Sequence, residues 1–375
     1  RLKEIGYDGH PLEVYLVRLL FCLFAEDTTI FNKQQFQDYI EFRTNEDGSD
    51  LAPKLQELFQ VLDTPSEKRF KNLDEQLAEF PYVNGKLFQE ILPMASFDTK
   101  MRKALLDCCY IDWSKISPAI FGSMFQSVMN PKERRNLGAH YTSETNILKL
   151  IKPLFLDELW AEFENIKNNK NKLPEFHKKI SLLKFLDPAC GCGNFLVITY
   201  RELRLLEIAV LRALNKSGQG FLDVSEIIWL DVDMMGGIEY EEFPARIAEV
   251  AMWLIDHQMN MLISNEFGQY FARLPLKKSA KIVHGDALEI DWETVIPKEQ
   301  LSYIIGNPPF IGSNIMKQNQ RNQIVREFEN IAGGGTLDYV TGWYIKSAKY
   351  IQNTKIKVAF VSTNSIVQGE QTNLL

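Results

Sequence analysis

Between residues 183 and 363, five short apolar stretches alternate with segments of helical character, and this alternation constrains the fold most strongly. The stretches are LKFLD (183–187), GGIEY (236–240), AKIVHGD (280–286), LSYIIGN (301–307) and KIKVAFVST (355–363). Helices are expected over 196–214, 243–262 and 337–352, between or before these strands. Such a pattern predicts a parallel sheet with helices on both faces, an α/β architecture. In sheets of this kind ligands bind outside the carboxyl ends of the strands. The residues able to carry chemistry gather at those ends.

Four of the strand ends are informative. The first runs FLDPACGCGNFL (185–196). Gly191 and Gly193 allow a tight turn and a close approach of ligand to backbone. Asp187 in front of them would repel a pyrophosphate but suits a ligand carrying positive charge. Cys190 and Cys192 lack the spacing and partners of a zinc site, so no metal is expected. The second end carries Glu239, placed to accept from both hydroxyls of a ribose. Glu241 and Glu242 follow closely, so the choice among these carboxylates stays open. The third carries Asp286, able to accept from an exocyclic amino group; His284 beside it is given no role. The fourth is GNPPF (306–310). Neither proline can donate to a sheet ladder, so the strand stops there. Asn307 and Pro308 offer two carbonyl acceptors for one planar amino group, and Phe310 a ring to stack on its bearer. Two acceptors pulling on a conjugated amine free its lone pair for alkylation. Together the four ends describe a cationic, nucleoside-like donor over three strands and an amine held at the fourth.

The rest of the chain reads differently. Residues 1 to about 125 are mainly helical in pattern, with a buried helix around VYLVRLLFCLF (14–24), a further helix over 65–80, an Asn-Gly turn in 80–88 and a helix pair over 112–129. Thr142 or Ser143 is expected to cap a helix that Pro153 kinks or shortens. The lysine-rich stretch 165–179 reads as a solvated loop or helix end. A net charge of −7 offers no overall basic surface, and five cysteines without a Cys-x-x-Cys pair suit a reducing, cytoplasmic setting. The longest early apolar run contains Arg18 and is too short to span a bilayer, so no membrane contact is expected.

DPACGCGNF, GIEYEEF, HGDAL and GNPPF match, in order, the motifs of class I S-adenosylmethionine-dependent methyltransferases that methylate amino groups in DNA. LGAHYTSE (137–144), lying ahead of them, is similar to the motif that closes over the methionine part of the cofactor, which resembles the gamma arrangement. FPYVNGKLF, ISPAIFGSMFQSVM, RRNLGAHYTSETNILKLIKPLF and LDYVTGWYIKSAKYI resemble the MmeI-like, type IIL restriction–modification proteins more narrowly.

That resemblance implies a Rossmann-like methyltransferase sheet over 131–375, preceded by a helical connector over 1–130. It implies S-adenosylmethionine as cofactor, held by Tyr141, Thr142, Asp187, Ala189, Gly191, Gly193, Glu239, Asp286 and Ala287. It implies a target-base clamp of Asn307, Pro308 and Phe310, with Pro309 flanking the methyl donor, acting on the N6 amino group of adenine in double-stranded DNA. N4-cytosine methylation, protein glutamine methylation and a non-catalytic regulatory module are the alternatives. The family's nuclease uses Glu-x-Lys, which is absent here, and its sheet continues beyond a fifth strand into a target-recognition domain. The sheet is therefore expected to be incomplete, and the chain to be an internal piece that lacks the recognition domain.

Overall fold

The computed structural model describes all residues except 84–86, 121, 124–141, 217–225, 269–279, 330–335, 368–371 and 373–375. Two compact units result, one of Arg1–Ser117 and one of the described residues from Pro118 onward.

The first unit is helical. Helix α1 (Gly9–Asp27) is its centre, with α2 (Gln35–Arg43), α3 (Leu51–Asp63), the short α4 (Glu75–Ala78) and α5 (Thr99–Cys109). Helix α1 is buried along most of its length, Arg18 included. Arg18 keeps its charge satisfied by donating to the carbonyls of Leu87 and Glu90, between the rings of Phe59 and Phe88. The helix expected over 65–80 does not form: only Ser66–Lys68 and Glu75–Ala78 are helical. Arg69 is the reason. Its guanidinium donates to the carbonyls of Val61, Thr64, Ala78 and Phe80, folding the segment around a side chain instead of along an axis. The turn at 80–88 and the helix pair over 112–129 fall partly outside the described residues.

The second unit is built on a five-stranded sheet of β1 (Phe185–Asp187), β2 (Met235–Glu239), β3 (Lys281–His284), β4 (Tyr303–Gly306) and β5 (Lys357–Phe360). All pairings are parallel, in the order β3-β2-β1-β4-β5. The chain thus winds outward from β1 through β3, returns to β4 on the other side of β1, and leaves a switch point between β1 and β4. Every expected strand is present; β2 has the expected length, shifted by one residue, and the other four are shorter than their apolar runs.

The two faces of β1 read its period of two. Phe185 packs with Phe155 and Tyr303 on one face. Leu186 joins Ile238, Ile304, Trp292 and Trp343 in the core of the other. Helices α9 (Asn194–Lys216) and α10 (Glu242–Phe267) pack on each other and against β1–β3. Before them come α6 (Glu144–Ile151), α7 (Asp157–Ile166) and α8 (Lys172–Ser181); α11 (Gln318–Glu327) and α12 (Thr341–Tyr350) fill the interval between β4 and β5.

Ser143 stands at the N-cap of α6, as expected, but its side chain makes no cap hydrogen bond; the Thr142 hydroxyl is used elsewhere. Pro153 does interrupt the helix, producing a π turn over Lys152–Leu156 before α7 resumes. The lysine-rich stretch begins as the end of α7 and the turn that follows to residue 171, as expected. From Lys172 it is an amphipathic helix that buries Leu173, Phe176, His177 and Ile180 and leaves its lysines outside. Among the described residues no helix is long and apolar enough to cross a membrane.

Candidate active site at the sheet switch point

Asp187 ends the central strand and is fully buried. Its Oδ1 accepts from the Ala189 N–H at 3.0 Å. Its Oδ2 is buried with no hydrogen-bond partner among the described residues. Burial pushes the carboxyl up to about 8, against the pull of the Ala189 N–H, and the neighbouring charge of Glu239 adds to the rise. Gly306, the last residue of β4, lies against this carboxylate: a Cβ there would strike Asp187 Oδ1. A buried acid with an unmatched oxygen is costly unless something positive or hydrogen-bond-donating meets it.

The loop after β1 is shaped by backbone donors. The Gly191 N–H donates to Glu239 Oε2 at 2.8 Å, and the Glu241 N–H to Glu239 Oε1 at 3.0 Å. Glu239 is therefore aimed by two amides at the end of β2, and Glu241 and Glu242 are not its equals: Glu241 contributes backbone, and Glu242 pairs with Arg246. Burial raises the Glu239 carboxyl, opposed by those same N–H groups. Gly193 has a φ of +82°, and a Cβ there would lie 3.0 Å from that of Ala248, so glycine lets α10 approach the loop. Trp343 of α12 closes the loop from the other side, donating from Nε1 to the Pro188 carbonyl at 2.9 Å.

Asp286 follows β3. Its Oδ1 accepts from the Leu288 N–H at 2.9 Å and its Oδ2 from Gln323 Nε2 at 2.6 Å. Ala287 is buried, and its carbonyl accepts from Lys346 Nζ at 2.8 Å. Lys346 also donates to the carbonyls of Leu288 and Ile290, which pins the turn that carries Asp286. Burial lowers the Lys346 ammonium, opposed by Glu327, Asp286, Glu289 and Asp291.

Asn307 follows β4, half-buried, and donates from Nδ2 to Thr142 Oγ1 at 2.8 Å. Thr142, from just ahead of α6, is buried. Two residues 165 positions apart are thus joined at the switch point. Pro308, Pro309 and Phe310 continue the edge, and Ile311 accepts from the Tyr339 N–H at 2.9 Å. Tyr141 lies outside the described residues. The remaining residues expected at the site all stand at the carboxyl edge of β1–β4 or in the segments that follow it.

Gln323, Trp343 and Lys346 hold the site and were not singled out from the sequence. All three lie on helices, where a polar or aromatic residue carries no local mark of what it reaches.

A parallel α/β sheet of this order, with acids closing β1 and β2, a third following β3 and an amide–proline–proline–aromatic edge after β4, defines a class I methyltransferase fold. Residues 163–375 match the model of the MmeI DNA-methyltransferase domain, and residues 10–88 that of the MmeI helicase spacer domain. The chain belongs to the MmeI family of DNA-methyltransferase domains. It is 41% identical over 368 residues to DNA methyltransferase A of Bacillus subtilis (strain 168), covering 97% of this chain and 41% of that protein. It is also similar to the solved structure of the type IIL restriction–modification enzyme MmeI in complex with DNA, with 64% identity and a TM-score of 0.91. That match covers 100% of this chain and 50% of MmeI, so this chain spans half or less of both relatives.

Proposed function

We propose that this chain transfers a methyl group from S-adenosylmethionine to the N6 amino group of adenine in DNA, as the modifying part of a restriction–modification protein. The observation that carries this reading is the Asn307–Thr142 hydrogen bond at the switch point. An amide has an NH₂ side and a carbonyl side. With the NH₂ side engaged by Thr142, the Asn307 carbonyl is set to accept from an amino group, and Pro308 supplies a second acceptor. Phe310 stacks on the base, which must leave the duplex to reach this edge. Pro309 flanks the methyl donor.

The residues fit the cofactor. S-adenosylmethionine, when bound, supplies an electrophilic methyl on a positively charged sulfur. The buried Asp187 carboxylate with its unmatched Oδ2 suits the cationic amino acid end. Ala189, Gly191 and Gly193 form the loop beneath it. Glu239, held by two amides, presents its carboxylate to the ribose hydroxyls. Asp286 and Ala287 take the adenine, and Tyr141 and Thr142 belong to the segment closing over the methionine part. Residues 131–375 form the catalytic domain in this reading and 1–130 the connector. The reaction asks little acid–base work of the protein, because the amine's proton can leave after nitrogen is alkylated; positioning and polarisation of the amine supply the rate.

The test is to express the full-length protein in a host without DNA methylation and sequence that host's DNA by a modification-sensitive method, with Asn307→Ala as control. N6-methyladenine at one fixed motif, lost in the variant, is the expected result. Methylation retained in Asn307→Ala overturns the role of Asn307; N4-methylcytosine overturns the choice of base.

A further inference from the structure

We propose that Gln323 is a positioning residue that sets the Asp286 carboxylate for the cofactor's adenine and so determines selection for its amino group. This rests on Asp286 being the adenine acceptor, as read above. Gln323 lies on α11, after the target-base clamp and far from the cofactor loops in sequence. Its Nε2 donates to Asp286 Oδ2 at 2.6 Å and to Glu289 Oε1 at 2.9 Å. Its Oε1 accepts from the Tyr339 hydroxyl at 2.7 Å. Tyr339 is buried and sits edge-on to Trp343, the residue that closes the loop after β1.

The direction of these bonds gives Gln323 its role. A carboxamide can turn over and present oxygen where nitrogen stood. Turned over, Gln323 would place its carbonyl against two carboxylates and its NH₂ against a hydroxyl. Tyr339 donating to Oε1, and the two acids accepting from Nε2, all favour one orientation. Asp286 is then held at both oxygens, by the Leu288 N–H on Oδ1 and by Gln323 on Oδ2. Each carboxylate oxygen has two acceptor directions, so Oδ2 retains one for an exocyclic amino group. An unheld carboxylate would rotate and still accept a hydrogen bond, but without geometric preference for a purine amine.

Calorimetric titration of the full-length protein with S-adenosylhomocysteine and with S-inosylhomocysteine tests this. The second ligand replaces the amino group with a carbonyl and turns a donor into an acceptor. The native protein should prefer the amino form by about a hundredfold, since an acceptor facing an acceptor loses a bond and leaves both groups unmatched. Gln323→Leu should reduce that preference to about tenfold or less, and Tyr339→Phe, which keeps the ring packing, should move it the same way by a smaller factor. Asp286→Asn should remove or invert it. If Asp286→Asn collapses the preference while Gln323→Leu leaves it intact, or weakens both ligands equally, Gln323 is only a structural support and the proposal is overturned. If Asp286→Asn leaves the preference unchanged, the assignment of Asp286 to the adenine fails instead.

Discussion

Asp187 and Thr142 illustrate how little of a side chain's function is its own. Asp187 is an ordinary acid raised to about 8 because it is buried at the end of a central strand. An acid whose pKa rises on folding binds more protons in the native state than in the unfolded one, between the two values. Stability should therefore fall as pH climbs from about 4 to about 8, by at most about 1.4 kcal/mol per unit. Asp187→Asn should flatten that slope in urea titrations across the range; an unchanged slope would place the charge elsewhere. A cationic ligand should bind more tightly as pH rises toward 8 and release a proton as it does, which calorimetry in buffers of different ionisation heat detects. Thr142 makes a second case. Removing its hydroxyl in Thr142→Val costs one hydrogen bond to Asn307, about 1 kcal/mol, so the methylation rate should drop several-fold to about tenfold. The rate should fall by more than any rise in cofactor KM, and Thr142→Ser should restore the rate. A raised KM with an unchanged rate would leave Thr142 in the cofactor lid alone.

The strands and the loops between them differ in how far local pattern decides them. Five apolar runs ended by an acid, an amide or a turn were legible because a buried parallel strand needs a continuous apolar run and a ligand-binding end needs polar groups. The helix expected over 65–80 has good helical composition and still does not form, because Arg69 offers the backbone carbonyls a better-placed donor than the next turn would. Arg69→Ala should destabilise the helical unit by about 1.5–3 kcal/mol, the range for hydrogen bonds that involve a charged group. Thermal unfolding followed by circular dichroism checks this; a change within error would mean the segment is held by its apolar contacts. At the start of α9, Gly193→Ala would combine a left-handed φ with a Cβ 3.0 Å from Ala248. It should cost about 1–3 kcal/mol and lower the melting temperature, whereas a neutral outcome would show that α10 can withdraw.

Across the second unit, packing joins neighbours on one helix to groups tens of residues away. Arg204 on α9 is fully buried and meets Tyr200, Asp256 and Asn260, while Glu207 accepts from the Trp229 and Leu230 backbone and lies 2.9 Å from His177. Truncating Arg204 to Leu should cost about 3–5 kcal/mol, since it leaves Asp256 and Glu207 buried without their cation. Denaturant unfolding measures it, and a loss under about 1 kcal/mol would mean the acids become protonated at little cost. The sequence by itself determined which runs are strands, and which acids and amide stand at or just after their carboxyl ends. That information is local, because strand burial and chain termination of a ladder depend on neighbours one or two residues away. Only the tertiary structure decided which of Glu239, Glu241 and Glu242 is aimed by the loop, that Thr142 reaches Asn307 rather than capping a helix, and that Gln323, Trp343 and Lys346 hold the site. Those choices depend on hydrogen-bond partners tens to hundreds of residues apart, and an isolated donor or acceptor carries no record of the partner that folding will bring to it.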